Sequence, residues 1–152
     1  MELISRSYKE GDYESYIQKP TKENMEQHFI ENFGGWSDEV SKKKFLEVIE
    51  TGYSELFFQG DQFIGYVSFN EERDDRTSYM INDIHITKKH QRKGYGKQIL
   101  NYVINKAKET NHKKLKLFVF KDNPSINFYI KYNFKETAVI DKSKTSVMTL
   151  EI

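Results

Sequence analysis

Six consecutive residues, Gln91-Arg92-Lys93-Gly94-Tyr95-Gly96, constrain this chain more than any other stretch. They stand between a segment with strand character, Tyr79 to Ile86, and a segment with helix character, Gly94 to Asn111. A Gly-rich turn from strand into helix presents free backbone N–H groups and the positive end of a helix dipole, which together suit a phosphate or pyrophosphate. Glycine at positions 94 and 96 lets a ligand approach the backbone. Arg92, Lys93 and Lys97 add cationic donors around the same point. The pattern therefore points to a βαβ unit that holds a polyanion.

The remaining composition narrows the class. The 152 residues suit one domain, numbered 1–152, with a core rich in its 11 Phe and 10 Tyr. Cysteine is absent, which removes disulfides, thiolate metal sites and a cysteine nucleophile. No apolar run approaches the roughly 20 residues of a membrane span, and the first residues carry no signal-peptide pattern. A soluble, cytoplasmic protein is the expectation. The net charge of +1 hides an asymmetry. Met1 to Asp75 carries 17 acidic and 8 basic side chains, whereas Arg76 to Ile152 carries 6 acidic and 16 basic. Either this is an uneven solvated surface, or a basic half attracts an anionic ligand and an acidic half a cationic one.

Read along the chain, Glu2 to Tyr8 is a first strand and Asp12 to Gln18 a short helix ended by Lys19-Pro20. Thr21 caps a helix to about Asn32, with Met25, Phe29 and Ile30 on one face. Gly34-Gly35 ends it, and Ser37 caps the next helix, Asp38 to Glu50, with Val40, Phe45, Val48 and Ile49 buried and Gly52 as its stop. Strands Ser54 to Gln59 and Gln62 to Asn70 turn at Gly60-Asp61. The strand at Tyr79, the helix at Gly94 and a strand at Leu115 to Phe120 read as a parallel pair with a right-handed crossover. Asn123-Pro124 opens a helix to about Lys131, left through Asn133, and Phe134 to Ile140 and Thr145 to Ile152 form a closing hairpin. The fold class is mixed α/β, with about seven strands and four helices.

Two motifs resemble the GNAT superfamily of N-acetyltransferases. The family's phosphate-binding pattern, Arg/Gln-x-x-Gly-x-Gly/Ala, is matched by Gln91, Gly94 and Gly96. Its second pattern, an Asn followed by a helix with Phe-Tyr and then a turn into Gly-Phe, is matched by Asn123, Phe128, Tyr129 and Phe134, with Asn133 in place of the usual Gly. The resemblance is close from Tyr79 to Phe134 and follows element order elsewhere. It implies a sheet splayed between the Tyr79 and Leu115 strands by a β-bulge, with acetyl-CoA in the opening and no metal. By the same resemblance, pantetheine pairs with Ile84, His85 and Ile86. The phosphates rest on Gln91, Arg92, Lys93, Gly94, Tyr95, Gly96 and Lys97, and Asn123 completes the cofactor site.

The resemblance also implies transfer of an acetyl group to a primary amine by direct attack in a ternary complex. Tyr129 matches the family tyrosine near the thioester sulfur and is the candidate general acid, since a phenol with an ordinary pKa near 10 stays protonated at neutral pH. The bland alternative is a core tyrosine beside Phe128, Tyr132 and Phe134. Asp83, or His85 beside it, is the candidate base, unless a water chain serves. Alternation puts Asn82 with Ile84 and Ile86 on one strand face and Asp83 with His85 on the other. Glu31 and Trp36 are candidates for binding a small cationic acceptor, against a plain surface acid and a core indole. His28, His90 and His112 lie apart from any carboxylate pair, so no metal site is suggested. The partners expected are acetyl-CoA and a small amine, with a homodimer allowed and neither nucleic acid nor membrane. The competing classes are another acyl-CoA as donor, a non-catalytic acetyl-CoA-binding module and a nucleic-acid-binding domain.

Overall fold

A computed structural model describes residues Glu2 to Ile152. Seven strands form one mixed sheet: β1 (Ile4–Ser7), β2 (Gly52–Gln59), β3 (Gln62–Glu71), β4 (Ser78–Ile86), β5 (Lys114–Phe120), β6 (Lys135–Ile140) and β7 (Thr145–Glu151). Their order across the sheet is β1-β2-β3-β4-β5-β7-β6, and all neighbours are antiparallel except β4 and β5. Four α-helices accompany it: α1 (Gln18–Phe33), α2 (Asp38–Glu50), α3 (Tyr95–Glu109) and α4 (Ser125–Lys131).

The two faces bury separate cores because the helices divide between them. Ile99, Leu100, Val103 and Ala107 line one side of α3 at helical spacing and pack with Val67, Phe69, Ile81, Leu115, Leu117 and Met148. Each of these Ile, Leu and Val side chains removed from water contributes about 1.5–3 kcal/mol. On the other face, Tyr13, Ile17, Phe45, Leu56 and Tyr66 form an aromatic-rich core beneath the N-terminal helices.

Four local expectations are corrected. Pro20 does not end a helix. A π-helical turn, Tyr13–Ile17, runs straight into α1, and the Gln18 N–H bonds the Tyr13 carbonyl five residues back. Pro20 then falls in the first turn of α1, where its missing N–H and fixed φ are tolerated. Thr21 is consequently inside the helix and caps nothing; its buried hydroxyl donates to the Ile17 carbonyl (2.7 Å) and meets the Tyr66 hydroxyl at 2.6 Å. Ile30 and Val40 are both about half exposed, so only part of each expected apolar stripe is buried. Thr51, rather than Gly52, closes α2, and Gly52 opens β2.

The other terminators act as expected. Gly34 ends α1 at φ 81°, Ser37 Oγ accepts the Val40 N–H at 3.2 Å, and Asn133 leaves α4 at φ 72°. No helix among the described residues is long and apolar enough to cross a membrane.

Candidate active site

The site is built where β4 and β5 part. Their parallel pairing runs from Ser78–Lys114 to Ile81–Leu117 and stops, although both strands continue, β4 to Ile86 and β5 to Phe120. The cause lies one strand away. In the β3–β4 ladder Ser68 faces Asp83 but Phe69 faces Ile81, so β4 carries one extra residue at Asn82. Such a bulge bends its strand and increases local twist. Beyond Ile81 the edge of β4 towards β5 therefore has no partner strand.

The bulge also changes the strand's parity. Tyr79 and Ile81 join the same core as Ile84 and Ile86, which strict alternation would not allow. Asn82 does not share the Ile84 and Ile86 face as alternation predicts. It is exposed and donates to Asn70 Oδ1 at 2.9 Å. Asp83 and His85 do share the opposite face, towards α1 and Tyr66. Gly65 on β3 is what allows Ile86 to sit so close: a Cβ there would stand 2.3 Å from the His85 carbonyl oxygen.

Past β4 the chain makes a 3₁₀ turn, Lys88–His90, and enters α3 through the loop singled out by its glycines. Arg92 (φ 61°) and Gly94 (φ 87°) both adopt left-handed conformations, which turn successive N–H groups to one side. Among the described residues, the N–H groups of Arg92 to Lys97 have no protein acceptor, and no side chain caps α3. Arg92, Lys93 and Lys97 are exposed around them. This is a concentration of unpaired donors that an anion satisfies. The loop is held from below by His90, whose ring meets Thr87 Oγ1 at 2.7 Å and Gln62 Oε1 at 3.3 Å. Burial, with Lys89 and Lys93 nearby, holds its pKa below the ordinary imidazole value.

Not every residue of this group faces outward. Tyr95 is buried and its hydroxyl donates to Gln59 Oε1 at 2.9 Å, so only its backbone N–H is open to a ligand. His85 is also buried, under α1. A Cβ at Gly96 would meet the Phe128 ring at 3.6 Å, an ordinary contact, so the protein alone does not forbid a small side chain there. Gln91, although exposed, engages its amide with the chain itself, donating to the Ile86 carbonyl (3.0 Å) and to Asn24 Oδ1 (3.1 Å).

Tyr129 is delivered to the α3 side of the sheet by α4. Asn123 Oδ1 starts that helix by accepting from the Ser125 N–H (2.9 Å) and Ser125 Oγ (2.8 Å). The Tyr129 ring packs against Phe128 and Phe134. Burial pushes its pKa well above the ordinary phenol value.

Asp83 stands on the other face of β4. Ser68 Oγ donates to its Oδ2 at 3.0 Å, and His85 Nε2 lies 3.7 Å from its Oδ1. Asn24, Ser68 and Gly65 escaped the sequence reading because nothing in their spacing marks them.

Glu31 and Trp36 lie at the C-terminal end of α1 and the turn that follows. That end leans on Phe120, the last residue of β5, through His28, Phe29 and Phe33, with ring centroids 5.3–6.2 Å apart. Trp36 meets Phe29 edge-on and donates its Nε1–H to Asp38 Oδ1 at 2.8 Å. Glu31 is exposed and accepts from Gln27 at 2.9 Å.

The sequence profile of the Acetyltransferase (GNAT) family matches residues 14–134. The chain belongs to the GNAT acetyltransferase family. Solved members of this fold superpose along the whole length. The PaiA N-acetyltransferase of Thermoplasma acidophilum, in complex with coenzyme A, gives a TM-score of 0.79 at 18% identity and covers 100% of both chains. A GNAT acetyltransferase of Elizabethkingia anophelis with acetyl-CoA bound gives 0.71 at 20% identity, covering 99% of this chain and 98% of its own. The spermidine N-acetyltransferase of Vibrio cholerae, with CoA and spermine, gives 0.75 at 18% identity, covering 98% and 95%. Comparison with curated protein sequences finds no match. At these identities the structural likeness establishes the GNAT fold.

Proposed function

We propose that this GNAT protein is a cytoplasmic enzyme that transfers an acetyl group from acetyl-CoA to the primary amine of a small molecule, by direct attack in a ternary complex. One observation carries this reading: the β4–β5 pair opens after Ile81 and Leu117, next to a helix start whose N–H groups lack acceptors. Acetyl-CoA, when bound, supplies an activated acyl group on a good leaving thiol. The chain's own part is to bind, orient and move protons.

The N–H groups from Arg92 to Lys97 hold the pyrophosphate, aided by the Arg92, Lys93 and Lys97 side chains. The open β4 edge at Ile84 to Ile86 pairs with the pantetheine amides, apart from the Ile86 carbonyl, which Asn24 and Gln91 already occupy. Tyr129 keeps its proton because burial disfavours the phenolate, and it is the proton donor to the departing sulfur. Asp83 removes a proton from the incoming amine, directly or through water. The two groups lie on opposite faces of β4, so the donor enters from the α3 side and the amine from the α1 side. Glu31 and Trp36 stand at that second entrance.

The test is acetyl-CoA consumption over a panel of amines that includes polyamines, amino acids, aminoglycosides and a lysine peptide. Turnover with a small amine supports the reading. Intact acetyl-CoA binding with no turnover across the panel would replace it with a non-catalytic acetyl-CoA-binding module.

A further inference from the structure

Asn24 of α1 touches three groups that the chain brings from elsewhere. Its Nδ2 lies 3.2 Å from the Ile86 carbonyl and 3.3 Å from His85 Nδ1, and its Oδ1 accepts from Gln91 Nε2 at 3.1 Å. Gln91 Nε2 also reaches the Ile86 carbonyl, at 3.0 Å. A carbonyl oxygen only accepts, so both amides must turn their NH₂ groups towards it. That fixes the orientation of Asn24 without reference to the histidine. The second N–H of Asn24 then points at His85 Nδ1, which must present a lone pair. A neutral His85 consequently carries its proton on Nε2, the atom facing Asp83 Oδ1 at 3.7 Å.

We propose that Asn24 is a positioning residue that ties the cofactor loop to the Asp83–His85 pair by fixing the Gln91 amide and the His85 tautomer together. The proposal rests on the acetyltransferase reading for its purpose but not for its geometry. Asn24 occupies the Nδ1 lone pair and the Nε2 proton faces Asp83, which leaves Asp83 rather than His85 to accept a proton from the amine. The Gln91 side chain is spent on the Ile86 carbonyl and Asn24, so the loop meets an anion with backbone N–H groups and cations instead.

Long-range nitrogen–proton NMR of the full chain, followed across a pH series, tests the tautomer of the neutral ring. Wild-type protein is expected to show His85 protonated on Nε2 alone. In Asn24→Asp the carboxylate cannot donate, and His85 is expected to gain a proton on Nδ1. A second experiment measures acetyl-CoA dissociation constants for Asn24→Ala, Gln91→Ala and the double variant. Each single change is expected to weaken binding about threefold to tenfold, the worth of one hydrogen bond, and the double variant by less than the product. Nδ1 protonation in the wild type, an unchanged tautomer in Asn24→Asp, or independent effects in the double variant would each overturn the proposal. None of these readouts requires turnover, so an inactive protein would sink the acetyltransferase reading without touching this one.

Discussion

A phenol serves acyl transfer as an acid only while it holds its proton. Tyr129 has an apolar surrounding that keeps it neutral. Tyr129→Phe removes the proton and keeps the packing against Phe128 and Phe134. Turnover is expected to fall about a hundredfold or more while the acetyl-CoA dissociation constant stays put, because the lost interaction belongs to the leaving group. Steady-state kinetics paired with calorimetry check this, and full turnover in the variant would return Tyr129 to a core aromatic. At the other entrance, Glu31→Gln and Trp36→Leu are expected to raise the acceptor Michaelis constant, with Glu31→Gln also weakening its dependence on salt. Flat constants in both variants would move the acceptor site away from the end of α1.

At the scale of elements, two local devices support the fold, and each gives a measurable expectation. Gly65 lets β3 and β4 approach at Ile86. Gly65→Ala would press a methyl on the His85 carbonyl at 2.3 Å, so the ladder must shift. A loss of about 1–3 kcal/mol is expected in denaturant unfolding, together with weaker acetyl-CoA binding. The second device joins β1 to the π-helical turn. Asp12 accepts from Arg6 at 2.7 and 3.0 Å and from the Lys9 N–H at 2.7 Å, and the guanidinium holds its pKa below the ordinary carboxylate value. A depressed folded pKa stabilises the protein above the unfolded value of about 4, and the gain is lost as pH falls through the folded value. Asp12→Asn is expected to flatten the acid limb of the stability curve. An unchanged acid limb would show that the pair contributes nothing to folding.

The same scale shows what a sequence reveals and what it hides. The Gly94 loop, the crossover helix, the Gly34 and Asn133 stops and the Ser37 cap were legible because each rests on a short-range rule. Pro20 misled because the π-helical turn before it shifts the hydrogen-bond register. Asn82 misled because an extra residue in β4 is invisible until β3 is laid beside it. Asn24 gave no signal at all: its partners at positions 85, 86 and 91 reach it only through the fold.

Across the whole molecule, the proposed function would make the acidic first half and basic second half a division of labour. The cations around the α3 start would serve the anionic donor, and the end of α1 carries acids near the proposed acceptor entrance. Acetyl-CoA is expected to stabilise the native state by about 2.7 kcal/mol at a hundredfold excess over its dissociation constant. Rising salt should weaken donor binding through the exposed cations. The central claim is that the free N–H groups at the start of α3 take the phosphates of acetyl-CoA, and a titration followed by amide NMR tests it most directly. The account predicts that the amides of Arg92 to Lys97 show the largest changes, saturating together with those of Ile84 to Ile86. Binding that leaves the Arg92 to Lys97 amides unmoved, or no binding at all, would contradict it.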